Sequence, residues 1–190
     1  MEAQVAPTLE TERLILRSFR PTDCEAYAAL RADPEVLRYL DCGPEPWNEG
    51  RSWRHLAFLL GHWQLSSVGM WALEERSSGQ WVGLVGFAVP EAGWPGFELA
   101  WALARQAWGH GYATEGARAA MDYAFTVWKK DHIISLVAPA NHASIRVAER
   151  LGERLEDRIP HLGQETLRYG LDRATYLREV APRLAIDPGP

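Results

Sequence analysis

The sequence is poor in cysteine and has no long hydrophobic run, and each absence excludes a class of protein. Its 190 residues contain two cysteines, Cys24 and Cys42, whose spacing matches no metal or redox motif. We therefore expect unpaired thiols in a cytoplasmic protein rather than a disulfide framework. No segment approaches the ~20 apolar residues of a membrane span, and the first residues, MEAQVAPTLETER, lack the basic and apolar regions of a secretory signal.

Positive charge is also scarce. The 20 Lys and Arg residues are outnumbered by 25 Asp and Glu residues, and the net charge of −5 argues against a general nucleic-acid binder. The six histidines show no metal-ligand spacing, so we expect no metal. Without repeats or linkers, the length predicts an N-terminal extension over 1–10, one domain over 11–180 and a flexible, proline-rich tail over 181–190.

Hydrophobic periodicity and capping residues predict mixed secondary structure. Three β-rich runs between residues 69 and 103 predict an antiparallel meander. The fold class is therefore α/β of the mixed α+β kind, with a central mixed, mostly antiparallel sheet and helices on both faces. Helices are expected over 21–32, 33–40, about 48–65, about 113–128 and 141–152, and strands over 13–17, 69–75, 80–89, 96–103, 132–138 and 165–171.

The segment QAWGHGYATEG, residues 106–116, has the pattern of a phosphate-binding turn. Gly109 and Gly111 permit positive φ, and the helix that follows directs free backbone N–H groups and its dipole at one point. A Walker A loop would need Lys and Ser or Thr where this sequence has Tyr112 and Ala113. A dinucleotide fingerprint would need a third glycine where Thr114 stands, so both readings are disfavoured.

The run Gln106-x-x-Gly109-x-Gly111 resembles the pyrophosphate loop of the GNAT superfamily of acyl-CoA-dependent N-acetyltransferases. Over about residues 11–176, the segments ERLILRSFRPTD, DPEVLRYL, WGHGYATEGARAAMDYAF and NHASIRVAERLG are similar to its RimJ/RimL-type branch. The resemblance implies acetyl-CoA as co-substrate, wedged between two splayed parallel strands, FELAWAL and HIISLVA. Its implied binding residues are Trp101, Leu103, Gln106, Trp108, Gly109, His110, Gly111, Tyr112, Ala113, Thr114, Asn141 and Ser144.

Two residues are candidates for catalysis. Glu98 is the single charge of the strand 96–103, on the face that also carries two alanines, and it resembles the carboxylate with which relatives take a proton from the amine. The alternative is a solvated glutamate near a strand end. Many relatives carry a tyrosine seven residues after the motif asparagine, where this sequence has Ala148. Ser144 stands three residues after Asn141, as in the RimJ/RimL-type pattern, and its hydroxyl either meets the CoA arm or bonds back to its own helix.

The resemblance implies transfer of an acetyl group to a primary amine, on a peptide N-terminus or a small molecule, by direct attack in a ternary complex. The alternatives are a non-catalytic acyl-CoA binder and an interaction module that uses the nine tryptophans. The expected partners are acetyl-CoA and an amine, with a homodimer left open. Aromatic candidates for the acceptor pocket, which equally suit core packing, are Trp47, Trp53, Trp63, Trp94 and His161. Glu153 replaces the aromatic residue usual after the glycine that ends the last helix.

Overall fold

The computed structural model describes residues 6–40, 47–88 and 94–181, so Cys42 and all but the first residue of the predicted tail over 181–190 lie outside it. The strands are β1 (Leu9–Glu10), β2 (Leu14–Arg17), β3 (Met70–Glu75), β4 (Trp81–Phe87), β5 (Leu99–Leu103), β6 (His132–Val137), β7 (Arg154–His161) and β8 (Gln164–Asp172). The helices are α1 (Cys24–Ala32), α2 (Pro34–Leu37), α3 (Glu49–Ser66), α4 (Tyr112–Thr126), α5 (His142–Leu151) and α6 (Arg173–Thr175), and a π-helical turn over Tyr176–Val180 follows α6.

The strands form two antiparallel sheets that meet at a single point. Strands β1 to β5 are neighbours in sequence order, and the second sheet has the order β6, β8, β7. Between β5 and β6 there is one parallel bridge, Glu98 to Ile134, in which the Ile134 N–H donates to the Phe97 carbonyl at 3.0 Å. The predicted mixed, mostly antiparallel sheet with two splayed parallel strands is therefore confirmed.

Helices cover both faces of the larger sheet, because successive side chains of its strands point to opposite faces and both sets include apolar residues. In β3, Trp71 and Leu73 join one core, which includes the apolar stripe of α4. Met70 and Ala72 point the other way and join a second core with residues of α1 and α3. This confirms the predicted arrangement of layers. Among the described residues, no helix is long and apolar enough to cross a membrane.

Three features differ from the expectations. Strand β7 was not predicted, because its residues are mostly exposed and charged and show no apolar alternation. The sheet begins with β1 at Leu9, inside the segment 1–10 that the sequence places outside the domain. The helix expected over 21–32 starts as a 3-10 turn over Pro21–Asp23, where the buried Asp23 carboxylate accepts two hydrogen bonds from Arg17.

Helix α4 lies close to the sheet at Gly116. A Cβ atom added there would stand 2.9 Å from Cδ2 of Leu73, which is fully buried in the core. Gly61, in the interior of α3, has no atom within 4 Å of the same position. The absence of a side chain at Gly116 therefore sets how closely the N-terminal half of α4 approaches β3.

We expect opposite effects from the same substitution at these two glycines. Gly116→Ala should lower the free energy of unfolding by about 1 kcal/mol, because overpacking outweighs the gain in helix propensity. Gly61→Ala should raise it by about 0.5–1 kcal/mol, since only the propensity changes. Urea unfolding of both variants measures the difference, and stabilisation by Gly116→Ala would contradict the close packing of α4.

Candidate functional site

A cleft of about 480 Å³ opens where β5 and β6 separate, a volume typical of small-molecule sites. Its walls come from β5, the turn that leads into α4, the end of β6, one face of α5, and residues in and just after α2. Of the residues predicted from sequence, those lining it are Glu98, Trp101, Leu103, Trp108, Gly109, Gly111, Ala113, Thr114, Asn141 and Ser144. Gln106, His110 and Tyr112 are not among its lining residues.

The turn before α4 presents a row of free N–H groups. Gly109 and Gly111 both have φ of +81°, as their positions in the motif predict. The N–H groups of residues 109–114 make no hydrogen bond to any described residue, and they surround the N-terminus of a 15-residue helix. Trp108 is one of the implied binding residues, but its N–H is not free, because it donates to the Arg105 carbonyl at 3.1 Å. The row can therefore hold an anion without a lysine.

Side chains hold this turn in place from two sides. The Trp108 indole Nε1 donates to the Leu103 carbonyl at 2.9 Å, which joins the turn to the end of β5. From the other side, Arg13 donates to the His110 carbonyl at 2.9 Å and pairs with Glu115 at 2.6 Å. The Tyr112 hydroxyl donates to Glu75, and the His110 ring stacks on the Tyr112 ring. The side chains of His110 and Tyr112 thus support the turn rather than line the cleft.

Strand β5 also offers backbone groups to the cleft. Its even-numbered residues direct their N–H and C=O groups toward β4. The same alternation is seen just outside the paired strands, where the Ala88 N–H donates to the Glu98 carbonyl and the Ala104 N–H donates to the Val82 carbonyl. Because hydrogen-bonded pairs alternate in antiparallel strands, the odd-numbered residues direct their N–H and C=O groups toward β6. The carbonyls of Phe97, Leu99 and Leu103 are taken by protein donors. The backbone of Trp101, between them, remains directed at the cleft.

Glu98 faces the cleft with a carboxyl group that is poised to exchange a proton. Burial raises its pKa to about 7, and this outweighs the opposing effect of a hydrogen bond from the Trp94 indole at 3.0 Å. The Trp94 ring packs edge-on against His161, with ring centres 4.8 Å apart. At neutral pH the group is present in both protonation states, as a general base requires.

The start of α5 borders the cleft opposite β5. The Asn141 side-chain oxygen accepts from the Ser144 N–H at 3.1 Å, so the predicted helix cap is present. The Ser144 hydroxyl makes no hydrogen bond to any described residue, and a bond back to its own helix is therefore not formed. Its polar group is available on the cleft wall.

Sequence reasoning missed several residues of the cleft. Arg146 and Arg150 lie four residues apart on one side of α5, and this spacing of two cations was the available signal. Glu35 and Tyr39 reach the cleft from the α2 region, and only the tertiary fold brings them there. The described residues contain no group of three or more His, Cys, Asp or Glu side chains arranged to hold a metal ion.

Most of the aromatic candidates for an acceptor pocket lie elsewhere. Trp63 is buried and donates to the Met70 carbonyl, and Trp47 packs against the second core, so neither lines the cleft. Trp53 is exposed on α3, away from the residues that line the cleft. Trp94 and His161 are the pair that approaches Glu98, through the indole hydrogen bond and the ring contact described above.

Known proteins share both the sequence and the fold. The family model of the acetyltransferase (GNAT) domain matches residues 13–154. The uncharacterized protein YkkB of Bacillus subtilis (strain 168) is 33% identical over 147 residues, which are 76% of this chain and 83% of that protein. An acetyltransferase from Agrobacterium tumefaciens str. C58 has a TM-score of 0.76 at 32% identity, covering 87% of this chain and 94% of that one. RimJ of Mycobacterium smegmatis, solved in complex with CoA-disulfide, shares the fold with a TM-score of 0.78 at 18% identity, covering 91% of this chain and 88% of that one.

The hydrogen bond from the Trp94 indole leads to a prediction about the pKa of Glu98. Trp94→Phe removes the donor to the carboxylate and keeps an aromatic ring, so the pKa of Glu98 should rise above 7 by about one pH unit. NMR titration of carboxyl-labelled protein measures it. His161→Leu, which removes the ring contact but no donor to Glu98, is the control. An unchanged pKa in Trp94→Phe would show that the indole does not stabilise the charged form.

Proposed function

Since the chain belongs to the GNAT family of acetyltransferases, we propose that it transfers the acetyl group of acetyl-CoA to a primary amine by direct attack within a ternary complex. The observation that carries the proposal is the position of Glu98, a carboxyl group with a pKa of about 7 in the same cleft as the row of free N–H groups. We assign the chain to the RimJ/RimL-type branch, on the four sequence motifs that resemble it.

Acetyl-CoA binding is proposed to use three parts of the cleft. The N–H groups of residues 109–114 take the pyrophosphate, with the dipole of α4 behind them. The backbone of Trp101 bonds the pantetheine arm, which lies along β5 between Leu103 and Asn141. Arg146 and Arg150 supply positive charge on the α5 wall for the remaining phosphate. Each part offers the chemistry that one segment of acetyl-CoA needs.

Glu98 is proposed as the general base. An amine with a pKa near 10 is almost fully protonated at pH 7 and has no lone pair for attack. Glu98 accepts a proton from the ammonium group, directly or through water, and the freed lone pair attacks the thioester carbonyl carbon. The new C–N bond forms, the C–S bond breaks, and the sulfur leaves with the electron pair of that bond. The acetylated nitrogen then gives up a second proton, which the thiolate takes, so that a neutral amide and the CoA thiol are released. The raised pKa makes the carboxylate a stronger base than an exposed glutamate would be.

Ser144 is proposed to stabilise the leaving sulfur. Its hydroxyl is unengaged by the described residues and borders the cleft on the wall opposite β5. A hydroxyl there can donate a hydrogen bond to the thiolate as the C–S bond breaks. Ala148, which stands where many relatives carry a tyrosine, has no donor for this role. The acceptor is a primary amine that enters past Glu35 and Tyr39, and both peptide N-termini and small-molecule amines meet this requirement.

Acetyl-CoA binding should depend on the turn at Gly111. In Gly111→Val a β-branched residue cannot keep a φ of +81°, so the row of N–H groups should lose its alignment and affinity should fall roughly tenfold or more. A Cβ atom at this position would stand 3.5 Å from Arg13, so backbone strain rather than collision causes the effect.

Calorimetric titration with acetyl-CoA measures this loss. The matched control is Gly79→Val, since Gly79 has a φ of +67° and open space around it in the turn between β3 and β4. This control should bind as the wild type does. If folded Gly111→Val binds acetyl-CoA equally well, the turn does not hold the pyrophosphate.

Glu98→Gln should separate catalysis from binding. The amide keeps the shape but accepts no proton, so the rate at neutral pH should fall about 10²–10⁴-fold while acetyl-CoA affinity hardly changes. Higher pH should restore part of the rate, because the amine then deprotonates unaided. Thiol release over a panel of amines, followed as a pH–rate profile, tests this. Glu25→Gln, an exposed carboxylate on α1, serves as control.

Three results of this experiment have distinct meanings. Equal rates of the wild type and Glu98→Gln at pH 7 would remove Glu98 from proton transfer. A loss that high pH cannot repair would make Glu98 a residue that binds the acceptor. Acetyl-CoA binding without thiol release, whatever the amine, would favour a non-catalytic acyl-CoA binder.

A further inference from the structure

A side chain replaces the backbone ladder at the point where β5 and β6 separate. After the bridge at Ile134, an uninterrupted parallel ladder would continue with the Leu136 N–H donating to the Leu99 carbonyl. Among the described residues that bond is not made, and the Ser135 hydroxyl donates to the Leu99 carbonyl at 3.0 Å. Ser135 is 1% exposed and lines the cleft. The hydroxyl therefore fixes β5 at the vertex of the cleft.

The same hydroxyl contacts a second buried group, the carboxyl of Glu153. This residue follows the glycine that ends α5, is 3% exposed, and places Oε1 at 3.0 Å from the Ser135 oxygen. A serine hydroxyl has one proton. If that proton lies toward the Leu99 carbonyl, the bond to Glu153 requires the carboxyl group to be the donor. A consistent chain then runs from the Glu153 acid through Ser135 to the carbonyl of Leu99.

The surroundings of Glu153 favour this protonated form. Burial raises its pKa to about 8, the hydrogen bond to Ser135 opposes this, and the charge of Glu156 on β7 adds to it. Glu156 is itself paired with His132 of β6 at 2.7 Å and with Arg168 of β8 at 3.4 Å. From α5, the backbone partner of Glu153 is the apolar, fully buried Ala148. Its second oxygen, Oε2, is buried without a partner among the described residues.

The geometry points to Ser135 and the carboxylic acid of Glu153 as positioning residues for acetyl transfer, which hold the Leu99 carbonyl and thereby β5 against the acetyl-CoA arm. This rests on the proposed function of the cleft. When Glu153 loses its proton, the carboxylate becomes an acceptor and draws the Ser135 proton to itself. The Leu99 carbonyl then loses its donor at the vertex, and the edge of β5 that faces the cleft is no longer fixed.

The test compares the pH dependence of acetyl-CoA affinity in the wild type and Glu153→Gln. Acetyl-CoA affinity is measured between pH 6 and 9.5. Above pH 8 the wild type should bind acetyl-CoA roughly 2- to 10-fold more weakly than the variant, because the glutamine amide keeps donating to Ser135. Other titrating groups, including Glu98, act equally on both proteins and cancel in the ratio. Ser135→Ala removes the donor at every pH and should show the weakened affinity already at pH 7.

Thermal unfolding without any ligand provides an independent measurement. The folded-state pKa of Glu153, about 8, lies above the value of 4.5 for an ordinary glutamate, so the folded protein holds the proton more tightly. This contribution to stability is complete below pH 4.5 and is lost as the pH rises from there to about 8. The midpoint of Glu153→Gln should therefore gain on that of the wild type across this window.

The possible failures can be told apart. Affinities of the wild type and Glu153→Gln that change in parallel with pH would overturn the positioning role, as would wild-type affinity in Ser135→Ala. A difference in thermal midpoint that stays constant from pH 4.5 to 8 would show that Glu153 is not held as the acid. If the wild type binds acetyl-CoA at no pH, the proposed function fails and this inference fails with it.

Discussion

The cleft depends on one constraint: backbone pairing between β5 and β6 ends after a single bridge. Two strands that separate leave the polar groups of their facing edges without partners, and buried polar groups must find some. In this protein the Ser135 hydroxyl takes the Leu99 carbonyl and the Trp108 indole takes the Leu103 carbonyl. These two side chains therefore lie at the two ends of an unpaired stretch of β5. The backbone of Trp101, between these positions, is directed at the cleft, where we propose that the pantetheine arm lies.

The proposed anion site next to this stretch is held in shape by contacts within the protein. Arg13 holds the His110 carbonyl and also pairs with Glu115, whose carboxylate accepts a further hydrogen bond from the Thr11 hydroxyl. Glu115 lies in the first turn of α4, where a negative charge suits the helix dipole but would repel a phosphate nearby. Its engagement by Arg13 on the outer side limits that repulsion. The ordering cost of the turn is therefore met during folding and not on binding.

The structural features that depend on a few neighbouring residues could be predicted from the sequence. The β-rich runs that form β3 to β5, the Asn141 cap and the glycines at 109 and 111 each act within a few residues, and each was predicted correctly. The charged edge strand β7 gave no such signal, and neither did the 3-10 turn that consumes the Trp108 N–H. Glu153 stands out in the sequence as an unusual residue, but its partner Ser135 is 18 residues earlier in the chain, on β6. Only the fold brings the two together.

Two glutamates of this region show how environment separates roles. Burial raises the pKa of both Glu98 and Glu153, so desolvation alone does not distinguish them. Glu98 receives an indole donor, which stabilises its charged form, and it lines the cleft, where protons can enter and leave. Glu153 is enclosed beside a hydroxyl that can accept a hydrogen bond from the protonated carboxyl group, and it is near the negative charge of Glu156. The first carboxyl can therefore cycle between states as a base, whereas the second keeps its proton and serves as a fixed hydrogen-bond donor.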